Sequence, residues 1–145
     1  MADDYADAAV RHYRDAENLA ERGRFDNAGY LIGYAAECAM KQKLRDLHSD
    51  PNRDFDGHHP GPQRQIRMFL EGRGLSGPWL SLVRNRSLFR GWSPDIRYAS
   101  NGQINAGKYD GWKADAERVL SAAKLRWRQP PVQPGAPDSG ETNAP

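Results

Sequence analysis

Apolar residues along this chain recur at steps of three and four, and nowhere in the sustained alternation of a strand. Between residues 5 and 22 the stripe is Ala6, Ala9, Val10, Tyr13, Ala16, Leu19 and Ala20, with acidic residues at its start and Gly23 as a stop. Only Arg24 and Phe25 separate that stop from Asp26, a side chain suited to cap the next helix. So short a link predicts an antiparallel helical hairpin. The second helix, from Asp26 to about Leu47, carries Ala28, Leu31, Ile32, Ala35, Ala36, Ala39 and Met40 on one broad apolar face. Gly29 and Gly33 lie inside it, each costing roughly 1 kcal/mol against Ala in a helix interior. Without side chains there, a second helix is expected to approach closely. Glu37 and Lys41 stand at the favourable i, i+4 spacing and are predicted to form a structural pair.

Ser-Asp-Pro-Asn breaks the second helix, and a polar loop with Gly57 and Pro60 follows. A third helix is predicted from Pro62 to Glu71, with Ile66, Phe69 and Leu70 inward, ended by Gly-Arg-Gly. A short fourth helix starts at Pro78, carries Trp79, Leu82 and Val83, and extends toward Phe89. Residues 91–107, with Gly91, Pro94, Gly102 and Gly107, should be irregular. Tyr109, Trp112, Ala116, Val119, Leu120, Ala123 and Trp127 trace one stripe for a last helix from about Gly107 to Trp127. The pattern predicts an all-α fold, a four- to five-helix up-and-down bundle over residues 1–128. Residues 129–145, with five prolines, should form a disordered tail.

Composition narrows this picture. At 145 residues one domain is expected, and 38% hydrophobic content allows a modest core. The single cysteine, Cys38, excludes an internal disulfide and a multi-cysteine zinc site, and its alanine-rich surroundings predict a small buried residue. The acidic start Met-Ala-Asp-Asp is wrong for a signal peptide, and no run is long and apolar enough for a membrane span. A cytoplasmic location without membrane attachment is the resulting expectation. The net charge of +2 conceals an asymmetry: residues 1–63 carry 8 Lys/Arg against 12 Asp/Glu, whereas residues 64–97 carry 7 Arg against Glu71 and Asp95. An arginine-only basic middle suits an anion or RNA surface, because guanidinium forks grip phosphate in bidentate fashion. It equally suits a solvated basic rim or an intersubunit surface.

Candidate chemistry is sparse. Arg53 and His58 lie five positions apart in the polar loop, with His59 adjacent, and an Arg/His pair can cleave RNA without metal: imidazole moves the 2′-hydroxyl proton while guanidinium stabilises the phosphate. The loop reads as floppy, and Asp54 and Asp56 beside the pair would repel phosphate. His12, His48, His58 and His59 share no ligand spacing, so no metal is expected. No glycine-rich nucleotide loop follows a strand and Gly-x-Ser-x-Gly is absent, so no cofactor is expected either. Arg84-Asn85-Arg86-Ser-Leu-Phe89-Arg90 is the sharpest basic cluster; on a helix Arg86 and Arg90 would share a face and contact phosphates. Trp92, Arg97 and Tyr98 could stack on a base. Alternatively, the aromatics clamp the loop to the bundle and Arg97 pairs with a carboxylate.

Several blocks taken together resemble a known family. Ala9-x-x-His12-x-x-Asp15-Ala16-x-x-Leu19 and Asp26-x-Ala28-Gly29-Tyr30-Leu31-x-Gly33-Tyr34-Ala35-Ala36-Glu37-x-Ala39-x-Lys41 look like the opening hairpin of HEPN domains. Gly57-His58, Trp92-x₄-Arg97-Tyr98, Tyr109 and Asp115-Ala116 follow in the matching order, so the resemblance covers roughly residues 5–126. It implies an all-α, commonly dimeric bundle of the kind recurrent in toxin–antitoxin and antiviral systems. Many members are metal-independent RNases with an Arg-x₄₋₆-His motif, often Arg-Asn-x₃-His. Here Arg84-Asn85 matches its start, but Phe89 stands where the histidine belongs and no histidine follows His59. The resemblance therefore implies a non-catalytic member: an RNA- or nucleotide-associated accessory subunit, a homodimer or the partner of an operon-encoded protein. Its expected contacts are Arg84, Asn85, Arg86, Arg90 and Arg97. The alternatives are an endoribonuclease using Arg53, His58 and His59, and a protein–protein interaction module.

Overall fold

The N-terminal hairpin folds as its two apolar stripes require. In a computed structural model, which describes residues 3–128, α1 (Tyr5–Glu21) and α2 (Phe25–His48) are joined by a turn in which Gly23 takes φ 73°. Asp4 caps α1 through the Asp7 amide at 2.9 Å. Asp26 does not cap α2, contrary to expectation; Arg24 occupies the cap position without a side-chain bond. The Asp26 carboxylate instead accepts the amides of Gly102 (2.9 Å) and Ile104 (3.2 Å), tying the loop before the last helix to the start of α2.

Then come α3 (Gly61–Gly72), α4 (Pro78–Val83), a short 3₁₀ turn at Pro94–Tyr98, and α5 (Ala106–Ala122). The fold is all-helical, and no strand occurs among the described residues. The core lies where α2 meets α1 on one side and α5 on the other, with Ile32, Met40, Leu44, Ile66, Tyr109, Val119 and Leu120 fully buried. Two long-range tyrosine bonds brace α1 to α5: Tyr13 donates to Glu117 at 2.5 Å and Tyr109 to Glu17 at 2.6 Å. Burial and these carboxylates push both phenols well above their ordinary range. Among the described residues, no helix is long and apolar enough to cross a membrane. The tail expected at 129–145 lies outside the described residues.

Three expectations are corrected. The glycines of α2 do not admit a second helix backbone; they seat indoles. A Cβ on Gly33 would fall 2.0 Å from the Trp92 ring, and one on Gly29 would meet Ile104 and Trp112 at 3.0 Å. Trp92 is locked there by its Nε1–H, which donates to the Gly29 carbonyl at 2.9 Å. The last helix stops at Ala122 rather than Trp127, because Lys124 turns left-handed at φ 59°. Trp127 nevertheless returns to the bundle, edge-on to Tyr13 at 5.0 Å and bonded to the Ser121 hydroxyl at 3.0 Å. Finally, α4 ends at Val83, short of the arginine cluster. The Asn85 side chain accepts the Ser87 amide at 2.9 Å, a local turn that competes with helix continuation.

Candidate functional site

Two charged side chains of α2 are buried, Glu37 at 3% exposure and Arg45 at 5%, and both reach into the loop between α2 and α3. Burying a charge is costly unless its hydrogen-bonding capacity is filled, and here it is. The Arg45 guanidinium donates to the Arg53 carbonyl at 2.7 Å, to Asp54 at 2.8 Å and to the Asp3 carbonyl, and it stacks 4.0 Å above the Tyr5 ring. The Tyr5 hydroxyl in turn accepts the Phe55 amide at 3.0 Å. Two turns earlier, Glu37 takes the His58 ring at 3.1 Å from Nδ1 to each oxygen, the His59 amide at 3.2 Å and Lys41 at 3.3 Å. The loop read as floppy is therefore fastened at both ends. The predicted Glu37–Lys41 pair exists, but it is only part of an anchor whose main load is the histidine segment.

This anchor sends the two histidines to opposite sides. His58 lies half exposed with its ring edge toward Tyr34 at 5.7 Å, on the wall of a cavity of about 460 Å³ that also includes His12, Cys38 and Lys41. Burial, with Arg11 assisting, lowers the His12 imidazole, and burial pushes the Cys38 thiol up to about 11. Tyr34 is raised by burial and by its hydrogen bond with Tyr30. Among the described residues, no cluster of three or more metal-ligating side chains occurs. Arg53 points elsewhere, over the Phe55 ring at 4.8 Å, so Arg53 and His58 engage separate partners.

His59 turns the other way, against Phe89 at 5.6 Å and Trp92 at 6.4 Å. Burial holds its imidazole below the ordinary value, opposed by weaker upward pulls from the Leu88 carbonyl, Glu37 and Asp115. Phe89 is itself buried, at φ 55°, with its amide donating to Asp115 at 2.8 Å. It thus faces the core and cannot be read as an exposed member of the arginine cluster.

His59 also lines a recess of about 300 Å³ between α3 and the segment after α4. Four arginines border it: Arg84 and Arg86, expected from sequence, together with Arg64 and Arg67 of α3, which sequence reasoning passed over. The signal for the latter two was present, since a three-residue step on the polar side of α3 places them on one face. Gln63 holds the two walls together, its Nε2 donating to the carbonyls of Val83 at 2.9 Å and Asn85 at 3.2 Å. The remaining expected contacts are not part of this group. Arg90 is exposed outside the recess, with its carbonyl accepting Trp112 at 3.0 Å. Arg97 bonds the Tyr30 hydroxyl at 3.2 Å and lies 4.7 Å from the Tyr98 ring, so it pairs with phenols rather than with a carboxylate. Trp92 is a clamp on the bundle, while Tyr98 remains 75% exposed.

Family models, curated proteins and solved structures yield no match to this chain. The resemblance to HEPN domains is carried by the sequence blocks alone.

Proposed function

We propose that the chain is a HEPN-like helical protein that binds RNA or a nucleotide without cutting it, as an accessory subunit of a toxin–antitoxin or antiviral defence system. A cytoplasmic location and a homodimer or an operon-encoded protein partner belong to this reading through the resemblance. The observation that carries it is the recess lined by Arg64, Arg67, Arg84 and Arg86 with no carboxylate among its lining residues. Arg84 already pairs with Glu71 at 2.8 Å, and the like charges of the other three attract a further anion. The burial of Phe89 at the position of the family's histidine supports binding without cleavage. A salt-titrated RNA-binding assay tests the reading. Each phosphate contact on a single strand contributes about −0.7 to the slope of log K against log salt. An Arg64→Ala, Arg84→Ala, Arg86→Ala variant should lose affinity and flatten that slope by about 2. Affinity and slope unchanged from the parent would overturn the assignment.

One observation favours a second reading, a metal-independent endoribonuclease: His59 brings an imidazole to the arginine recess beside Phe89. Cleavage in EDTA that leaves 2′,3′-cyclic phosphate ends and disappears in His59→Ala would establish it. Absence of such cleavage by the purified parent leaves the binding reading in place.

A further inference from the structure

We propose that the recess between α3 and residues 83–88 selects a phosphomonoester, the terminal phosphate of a nucleotide or of an RNA strand, over the internal phosphodiesters of a strand. The inference rests on the reading of the recess as a phosphate site and specifies its ligand class. Charge is the first argument. Among the described residues Arg64, Arg67 and Arg86 make no ion pair, while Arg84 commits its Nε to Glu71 at 2.8 Å. An internal phosphodiester brings one negative charge to this group. A monoester brings nearly two at neutral pH, because its second proton leaves near pH 6.

Size and backing point the same way. A recess of about 300 Å³ stands at the small end of ligand pockets, a size that matches a phosphate and its adjoining sugar. Val83 and Leu88, both buried, give it an apolar backing on one side, while Arg64, Arg84 and Arg86 stand at its exposed rim. The walls are also fixed before any ligand arrives. Gln63 bonds the carbonyls of Val83 and Asn85, and Glu37 holds the His59 amide, so the backbone needs little ordering on binding and the cost falls on the arginine side chains.

The experiment uses the full chain and one short RNA sequence prepared with a 5′-phosphate, with a 3′-phosphate, or with hydroxyls at both ends. Fluorescence anisotropy at fixed salt gives the three affinities, and a nucleoside 5′-monophosphate serves as competitor. A phosphorylated end is expected to bind at least about tenfold tighter than the hydroxyl-ended strand, since about one tenfold step follows from 1.4 kcal/mol of added charge recognition. That preference should vanish in Arg67→Ala/Arg86→Ala and shrink in Gln63→Leu, whose walls lose their tie. Competition by the mononucleotide at the strand's own concentration identifies a free nucleotide as the source, and its failure to compete identifies an RNA end; both support the monoester. Equal affinity for all three strands, still lost in the arginine variant, overturns the monoester proposal and keeps the nucleic-acid reading. No binding of any strand or of the mononucleotide overturns both.

Discussion

The seat of Trp92 on Gly33 makes a quantitative prediction, because the same Gly→Ala change can be made elsewhere in the chain without a neighbour. A Cβ on Gly33 would stand 2.0 Å from Cε2, 2.2 Å from Nε1 and 2.5 Å from Cδ2 of Trp92. Carbon atoms in contact settle about 3.5–4.0 Å apart, so the indole must retreat by about 1.5 Å. It is 4% exposed, edge-on to Tyr34 at 5.7 Å and bonded to the Gly29 carbonyl, so no open space receives it. Overpacking of this kind costs about 1–3 kcal/mol and the strained hydrogen bond about 1 kcal/mol more. Against that stands the helix-propensity gain of about 1 kcal/mol. Gly33→Ala should therefore lower stability by about 1–3 kcal/mol. Gly111, exposed within α5, has nothing within 4 Å of its would-be Cβ, so Gly111→Ala should raise stability by about 0.5–1 kcal/mol. In a chain of this size each kcal/mol moves Tm by about 4 °C, so the two variants should melt on opposite sides of the parent, roughly 10 °C apart. In a Trp92→Ala background the penalty at Gly33 should disappear and the propensity gain return. A Gly33→Ala protein that melts at or above the parent would refute the seat.

Three further outcomes follow from the buried polar groups. Glu37→Ala leaves Lys41, His58 and the His59 amide without their common acceptor, and urea denaturation should show a loss of about 3 kcal/mol. His12 and His59 have folded values below the unfolded imidazole, so their contribution is complete above about pH 6.5 and is lost as pH falls from there toward the folded values. Urea midpoints measured from pH 7.5 to 5.5 should fall for the parent and fall less steeply for a His12→Gln/His59→Gln variant. A Cys38 thiol at about 11 is almost wholly protonated at pH 8, so iodoacetamide should label it at least about 100-fold more slowly in the native than in the unfolded chain.

Much of the architecture was legible as periodicity. The stripes of α1 and α2 share a link of three residues, and that alone dictates the hairpin. The helix ends were less legible, because Lys124 and Asn85 leave the helical path through local turns that a stripe does not encode. The candidate site was legible in part. Arg84 and Arg86 stood out as neighbours in sequence, whereas Arg64 and Arg67 join them only because Gln63 ties α3 to the end of α4, a contact between residues 20 apart. Glu37 announced its partner four residues on and concealed its partner 21 residues on, since nothing in the loop composition reveals which way His58 turns. Gly33 signalled close approach correctly, yet the visitor is an indole from far along the chain rather than a backbone.

The loop anchor has one more consequence, which concerns contiguity. Three of the bonds that shape the loop and the recess span short stretches of chain: 8 residues from Arg45 to Arg53, 21 from Glu37 to His58 and 20 from Gln63 to Val83. The bonds that join the outer helices span 104 and 92. Every lining residue of the recess thus belongs to one uninterrupted stretch, His59 to Leu88, and its anchor on α2 extends it back to Glu37. Helices α1 and α5 act as a frame around it, with Asp3 and Tyr5 at the start of the chain bracing Arg45 and Phe55 from outside. Insertions in the connection between the 3₁₀ turn and α5 lengthen the frame without dividing that stretch, and closing a longer loop costs only about 0.6 kcal/mol per doubling. The arginine recess is, in this sense, a cassette: its geometry is written in one passage of the chain and braced by the rest.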